Sequence, residues 1–172
     1  MDLKLNKKII LLFIFNKMIN LTKTIYVEPK FLNKNVRENI LQVLKDNVNE
    51  DCTKDYGYIL NIKNYKIIKS EQDIYTLEFE ARTLKPEKDK EYTCKVCMIT
   101  KDGIFGVIDD KQKILIPSSK MKEYKYNDIK NNFTNMESEI NIDNMLDVKV
   151  TDVMYSDKRF SCIGILLFKK IK

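Results

Sequence analysis

Cys94-Lys95-Val96-Cys97 comes nearest to recognisable chemistry, because a CxxC can hold zinc or cycle between dithiol and disulfide. A zinc site needs four ligands, and the chain offers neither a second CxxC nor any histidine. A redox CxxC normally begins a helix, whereas this one sits in an alternating strand pattern, where residues three apart face opposite ways. Cys52, Cys94, Cys97 and Cys162 therefore read as structural thiols of a reducing compartment, and no metal or cofactor is expected. The lack of histidine also removes Ser-His and Cys-His nucleophile pairs. Acid–base work would fall to Asp, Glu, Lys, Cys or Tyr. The carboxylate clusters, Asp109-Asp110 and Glu137-Ser138-Glu139, lie in turn-like polar stretches where solvated charge is the ordinary role. No catalytic residue is assigned, and the chain reads as a non-enzyme.

Binding chemistry is better represented. Tyr92-Thr93-Cys94-Lys95-Val96, Gly103-Ile104-Phe105-Gly106-Val107 and Ile114-Leu115-Ile116-Pro117-Ser118-Ser119 together resemble the RNA-binding barrel first recognised in a ribosomal protein. In such a barrel an aromatic on a shallow sheet face stacks a base while nearby lysines track the phosphates. Phe105 would be that aromatic, with Lys95, Lys101, Lys111 and Lys113 around it. The competing role for Phe105 is filling the barrel core. Net charge is +6, from 31 basic and 25 acidic residues, which permits contact with a polyanion without demanding it. Arg37, Arg82 and Arg159 are the only arginines. Lysine lacks the bidentate fork that reads base edges, so contacts to phosphate are favoured over sequence readout.

These residues must be positioned by two sets of elements. Ile19, Leu21, Ile25 and Val27 form a strand pattern closed by Glu28-Pro29. A helix follows, with Asn35 as N-cap, Glu38 in a capping-box position, and Val36, Ile40, Val43, Leu44 and Val48 on one face. A strand enters through Tyr56-Gly57-Tyr58 to Ile59, Leu60 and Ile62. A cleaner one runs from Ile74 to Leu84, with Tyr75, Leu77, Phe79 and Ala81 on its buried side. Lys85-Pro86-Glu87-Lys88-Asp89-Lys90 is the best boundary. Beyond it, strands at residues 92–99, 104–108, 114–116, 146–155 and 160–168 suit a five-stranded barrel of the OB type. Residues 118–144 are polar, Asn-rich and Lys-rich, and read as a long loop or a partly helical insertion with no fixed structure assigned. The fold class is α+β: a strand-helix-strand-strand domain over 18–85, then an OB-type barrel over 86–172 with a polar insertion at about 118–144.

Residues 1–17 read as an extension. Lys4, Lys7 and Lys8 before Ile9-Ile10-Leu11-Leu12-Phe13-Ile14-Phe15 imitate a signal peptide, but the run is short and no small-x-small site follows. It is also too short to cross a bilayer, so no membrane role is expected. Met18 is an alternative start.

The ordered residues resemble the stalk subunit of multisubunit RNA polymerases, the family of the RNA polymerase II seventh subunit and its archaeal counterpart. Leu21, Ile25, Val27 and Pro29 match its first strand and closing proline, followed by Phe31 and the helix, and Cys52-Thr53 with Tyr56-Gly57-Tyr58-Ile59-Leu60 match its strand entry. Phe79, Ala81 and Lys85-Pro86 match the strand leading to the interdomain junction, and Ser161-Cys162-Ile163-Gly164 the small-apolar-Gly pattern near the last barrel strand. Asp89-Lys90-Glu91 stands where the family usually has Gly-Glu, which marks a diverged member. The resemblance implies a non-catalytic accessory subunit of DNA-directed RNA polymerase. It implies docking on the polymerase core through Pro29, Phe31, Tyr56, Gly57 and Tyr58, and pairing with a small helical fourth-subunit-type partner. It further implies binding of single-stranded nascent RNA near the exit path. Localisation would be intracellular: the nucleus if the source is cellular, the host cytoplasm or virion if it is a large DNA virus. A free-standing OB-fold RNA-binding protein, such as a translation factor, is the alternative; it leaves the N-terminal domain without a purpose.

Overall fold

The computed structural model describes residues 17–32 and 34–167; residues 1–16 of the predicted 1–17 extension and the end of the last predicted strand at Phe168 lie outside the described residues, while Lys17 begins the first strand. The chain forms two compact units that meet in sequence between Lys85 and Pro86.

In the first unit, β1 (Lys17–Tyr26), β2 (Cys52–Thr53), β3 (Gly57–Glu71) and β4 (Ile74–Leu84) form an antiparallel sheet in the order β1-β4-β3-β2. The helix α1 (Val36–Val48) buries Ile40, Leu44 and Val48, spaced four apart, in a core with Ile25, Leu77, Phe79, Ala81, Ile59 and Ile62. Val36 and Val43 pack at its margin, so the predicted apolar face is the one the helix uses. The predicted capping box is not made. Asn35 has φ −103° and ψ 32°, outside the extended geometry that aims a cap side chain, and makes no side-chain capping bond. Its carbonyl accepts the Asn39 N–H at 3.0 Å instead.

β3 is far longer than the alternation predicts. Register shifts between Ile59 and Asn61, Ile62 and Asn64, and Ile67 and Lys69 mark three bulges. Each inserts a residue, so the inward positions Ile59, Ile62 and Tyr65 fall at intervals of three and the period of two disappears. Tyr65 ends in a hydrogen bond from its hydroxyl to the Arg37 carbonyl at 2.7 Å.

The second unit is built on β5 (Glu91–Thr100), β6 (Gly103–Ile108), β7 (Gln112–Pro117), β11 (Met145–Ser156) and β12 (Arg159–Leu166), which close into a barrel in the order β11-β12-β7-β6-β5. β5 also pairs with β11, and the parallel contact of Cys162 and Ile163 with Ile114 and Leu115 completes the ring. The interior takes alternate residues, among them Cys94, Val96, Ile104, Ile114, Ile116, Val148, Val150 and Cys162. A Cβ at Gly164 would lie 2.7 Å from Ile114 Cδ1 and 3.1 Å from the Lys149 carbonyl, which explains a glycine in the last strand.

The insertion expected as a long loop or partly helical segment instead forms a small sheet. A 3₁₀ turn at Ser118–Lys120 leads into β8 (Lys125–Asn127), β9 (Asn132–Thr134) and β10 (Glu139–Ile140), a three-stranded antiparallel sheet. Met121, Phe133 and Ile140 are buried, and the Tyr126 ring lies 5.4 Å from that of Phe133. Strands of two or three residues are too short to show a period.

Candidate nucleic-acid interface and docking surface

Apolar residues occupy both parities in Gly103–Ile108 and Gln112–Pro117, so the barrel has an apolar interior and an apolar stretch outside. Ile104 and Ile108 point inward and are buried, while Phe105 and Val107 between them are half-buried on the outer face. Phe105 does not fill the core. Cross-strand register sets Met98, Phe105, Leu115 and Ile163 in one row across β5, β6, β7 and β12. The next row holds Met145, Lys95, Val107 and Lys113. Lys95 and Lys113 therefore flank Val107, one step from Phe105.

The other two predicted lysines do not join them. Lys101 lies in the turn before β6 and Lys111 in the turn after it. Six residues at roughly 3.3 Å each put these turns on the order of 20 Å apart. Lys101, at the Gly103 end, is the nearer to Phe105 in sequence; Lys111 is half-buried at the far end. Met98, Leu115 and Ile163 were missed by sequence reasoning, although the unbroken apolar runs were their signal.

Charge on this face is modified by one contact. Lys95 Nζ lies 2.8 Å from Asp143 Oδ1. Its pKa is raised, first by that hydrogen bond, next by the carboxylate's charge, with a lesser contribution from Asp110. The turn carboxylates have a conformational explanation: Asp109 and Asp110 both hold left-handed φ, 47° and 56°, as do Asp157 and Lys158 at the β11–β12 hairpin.

The CxxC is divided by the barrel wall. Cys94 is buried inside, and Cys97, the extra residue of a bulge, is exposed with its thiol 3.3 Å from the Phe105 carbonyl. Burial pushes the thiols of Cys94 and Cys162 up to about 12. Cys52 is buried as well. The expected result of titrating the folded protein with a thiol reagent is one fast-reacting cysteine, Cys97, with the others reacting on unfolding. Peptide mapping would check this, and rapid labelling of Cys94 or Cys162 would contradict the barrel packing.

In the first unit the predicted docking residues fall into two places. The Val27 N–H donates to the Asp73 carbonyl at 2.9 Å, so Pro29 and Phe31 follow at the β3–β4 hairpin end. Lys30 Nζ lies 4.9 Å from the centre of the Phe31 ring. Tyr58 pairs with Leu84, at the opposite end of β4. Eleven residues at roughly 3.3 Å each separate the two ends by on the order of 30 Å. Gly57 is buried, and Tyr56 and Tyr58 are half-buried. The hairpin end carries apolar surface not singled out from the sequence: Tyr26, Ile67, Ile68 and Ile74 are 45–59% exposed.

Residues 22–76 match the family model for the SHS2 domain found in the N terminus of Rpb7p/Rpc25p/MJ0397, a span running from β1 into β4. The first unit is thus an SHS2 domain, and the barrel lies outside the matched span. No curated protein matches the chain significantly. The similarity is therefore to the N-terminal domain of the Rpb7-type RNA polymerase stalk subunits, over residues 22–76.

Proposed function

We propose that this protein is a non-catalytic stalk subunit of a DNA-dependent RNA polymerase, docking on the core through its SHS2 domain and holding nascent single-stranded RNA on its barrel. The observation that carries this reading is an Rpb7-type SHS2 domain in one chain with a closed five-stranded OB-like barrel. The barrel's half-exposed aromatic row, with Lys95 and Lys113 beside it, suits stacking and phosphate contact without sequence readout. For docking, the hairpin end of the sheet is the better supported surface. It brings Pro29 and Phe31 to the same end of the sheet as the exposed Tyr26, Ile67, Ile68 and Ile74, whereas in the Tyr56–Tyr58 segment Gly57 is buried and both tyrosines are half-buried. A small helical partner would complete the stalk.

Affinity capture of the tagged full chain from its source cells tests this. The expected catch is the two largest polymerase subunits together with a small helical protein. The double variant Ile67→Asp/Ile68→Asp should recover roughly tenfold less polymerase, as for a docking hot spot worth about 1–2 kcal/mol, with its thermal melt unchanged. Recovery of ribosomes, or of RNA without polymerase, would replace this function by that of a free-standing RNA-binding protein.

A further inference from the structure

The aromatic row and its lysines carry a contact that a phosphate-tracking face would not need. Asp143 has φ 69°, a left-handed conformation uncommon for a residue with a side chain. It is held there by the barrel: its N–H donates to the Val96 carbonyl and the Val96 N–H donates to the Asn144 carbonyl, both at 2.9 Å. These bonds fasten residues 143 and 144 beside β5, on the β11 side, where Met145 is paired with Lys95. Val107, Phe105 and Lys113 lie on the other side of β5. The Asp143 carboxylate, 2.8 Å from Lys95 Nζ, thus draws this ammonium away from the aromatic row and cancels its charge. Lys113 has no such carboxylate within ion-pair distance among the described residues.

We propose that Asp143 is an intramolecular competitor for the RNA phosphate: it holds Lys95 off the binding face, and bound RNA must take the ammonium from it. This rests on the RNA-binding reading given above and adds a positioning residue to that site. The contact keeps resting affinity low, so that a transcript is held by stacking and released readily as it advances. Both groups are solvent-exposed, with side chains 50% and 73% accessible, so exchange of carboxylate for phosphate needs no unfolding.

Asp143→Asn in the full chain is the test, since asparagine tolerates the left-handed conformation as well as aspartate does. Binding is read by fluorescence anisotropy with a labelled single-stranded oligouridine over a range of salt. The variant should bind about two- to fivefold tighter at low salt, the size of one exposed ion pair. Its log-affinity slope against log salt should steepen by about 0.7, the increment for one more phosphate contact on a single strand. In a Lys95→Gln background the same change should have no effect. Asp157→Asn removes the same charge at the β11–β12 turn and should leave affinity nearly unchanged. Weaker or unchanged binding by Asp143→Asn overturns the proposal, as does a gain that survives Lys95→Gln or is matched by Asp157→Asn. If the wild type fails to bind, or Phe105→Ala binds as the wild type does, the RNA-binding reading falls and this inference with it. If Phe105→Ala weakens binding and Asp143→Asn does not strengthen it, only this inference falls.

Discussion

Replacing Gly57 by alanine should destabilise the SHS2 domain by about 2–5 kcal/mol, from left-handed strain and overpacking together. Gly57 has φ 74°, and a Cβ there would lie 2.0 Å from the Leu84 carbonyl oxygen and 2.7 Å from both Leu84 C and Lys85 Cα. All three atoms are backbone, so no side chain can turn aside to make room. The clash would push β3 from β4 at the register pair Tyr58–Leu84, where β2 is also attached through Cys52. At about 4–8 °C per kcal/mol for a domain of this size, the melting temperature should fall by roughly 10 °C or more. Hydrogen exchange followed by peptide should place the loss in residues 17–85 and leave barrel amides protected. A melt within roughly 2 °C of wild type would refute this account of the glycine. The same measurement addresses Tyr56-Gly57-Tyr58 as a docking motif. If the segment's main role is to let β3 pass close to the end of β4, the glycine variant loses polymerase through unfolding, and truncating either tyrosine costs much less.

How far the fold could be read in the sequence depended on whether each element keeps one period. β4 was legible because Leu77, Phe79 and Ala81 alternate without interruption with Glu78, Glu80 and Arg82, and the sheet buries only the first set. α1 was legible because Ile40, Leu44 and Val48 repeat at the helical period. β3 was lost beyond Ile62 because Leu60, Lys63 and Ile68 are bulge residues, and each resets the alternation. That gap bears on the docking proposal. Ile67 and Ile68, the centre of the proposed docking surface, lie in the unassigned stretch. The insertion was lost for another reason: β8, β9 and β10 take their stability from Met121, Phe133 and Ile140, whose grouping depends on tertiary packing.

The candidate RNA face divides along similar lines. Strand parity alone opposes Phe105 to Ile104 and Gly106, so its outward direction follows once the interior is known to take the even positions of β6. The four lysines predicted around it could not all be checked that way, because Lys101 and Lys111 sit in turns where strand parity says nothing. Nor could sequence show that Lys95 meets Asp143, a partner brought by the pairing of β5 with β11 across the insertion.

Phe105→Ala is expected to weaken single-stranded RNA binding by about 1–3 kcal/mol, or roughly 5- to 150-fold, the range for losing one base–aromatic stack. Stability should fall little, because the ring faces outward and its same-face neighbours Met98 and Leu115 contribute only cross-strand contacts of about 0.2–1 kcal/mol each. Ile104→Ala, one residue earlier, should do the reverse. Ile104 is fully buried, and its truncation should cost about 2–5 kcal/mol of barrel stability. Any barrel that still folds should bind RNA with near wild-type affinity. The pair separates a stacking face from a core on adjacent residues of one strand, by anisotropy titration beside thermal melts. Equal RNA affinity for Phe105→Ala and wild type would rule out the stacking face. Lysine substitutions then grade the site by distance. Lys113→Ala, one row from Phe105, should reduce affinity more than Lys111→Ala, which lies at the far turn. The opposite order would shift the path of the RNA backbone toward the β6–β7 turn and away from the aromatic row.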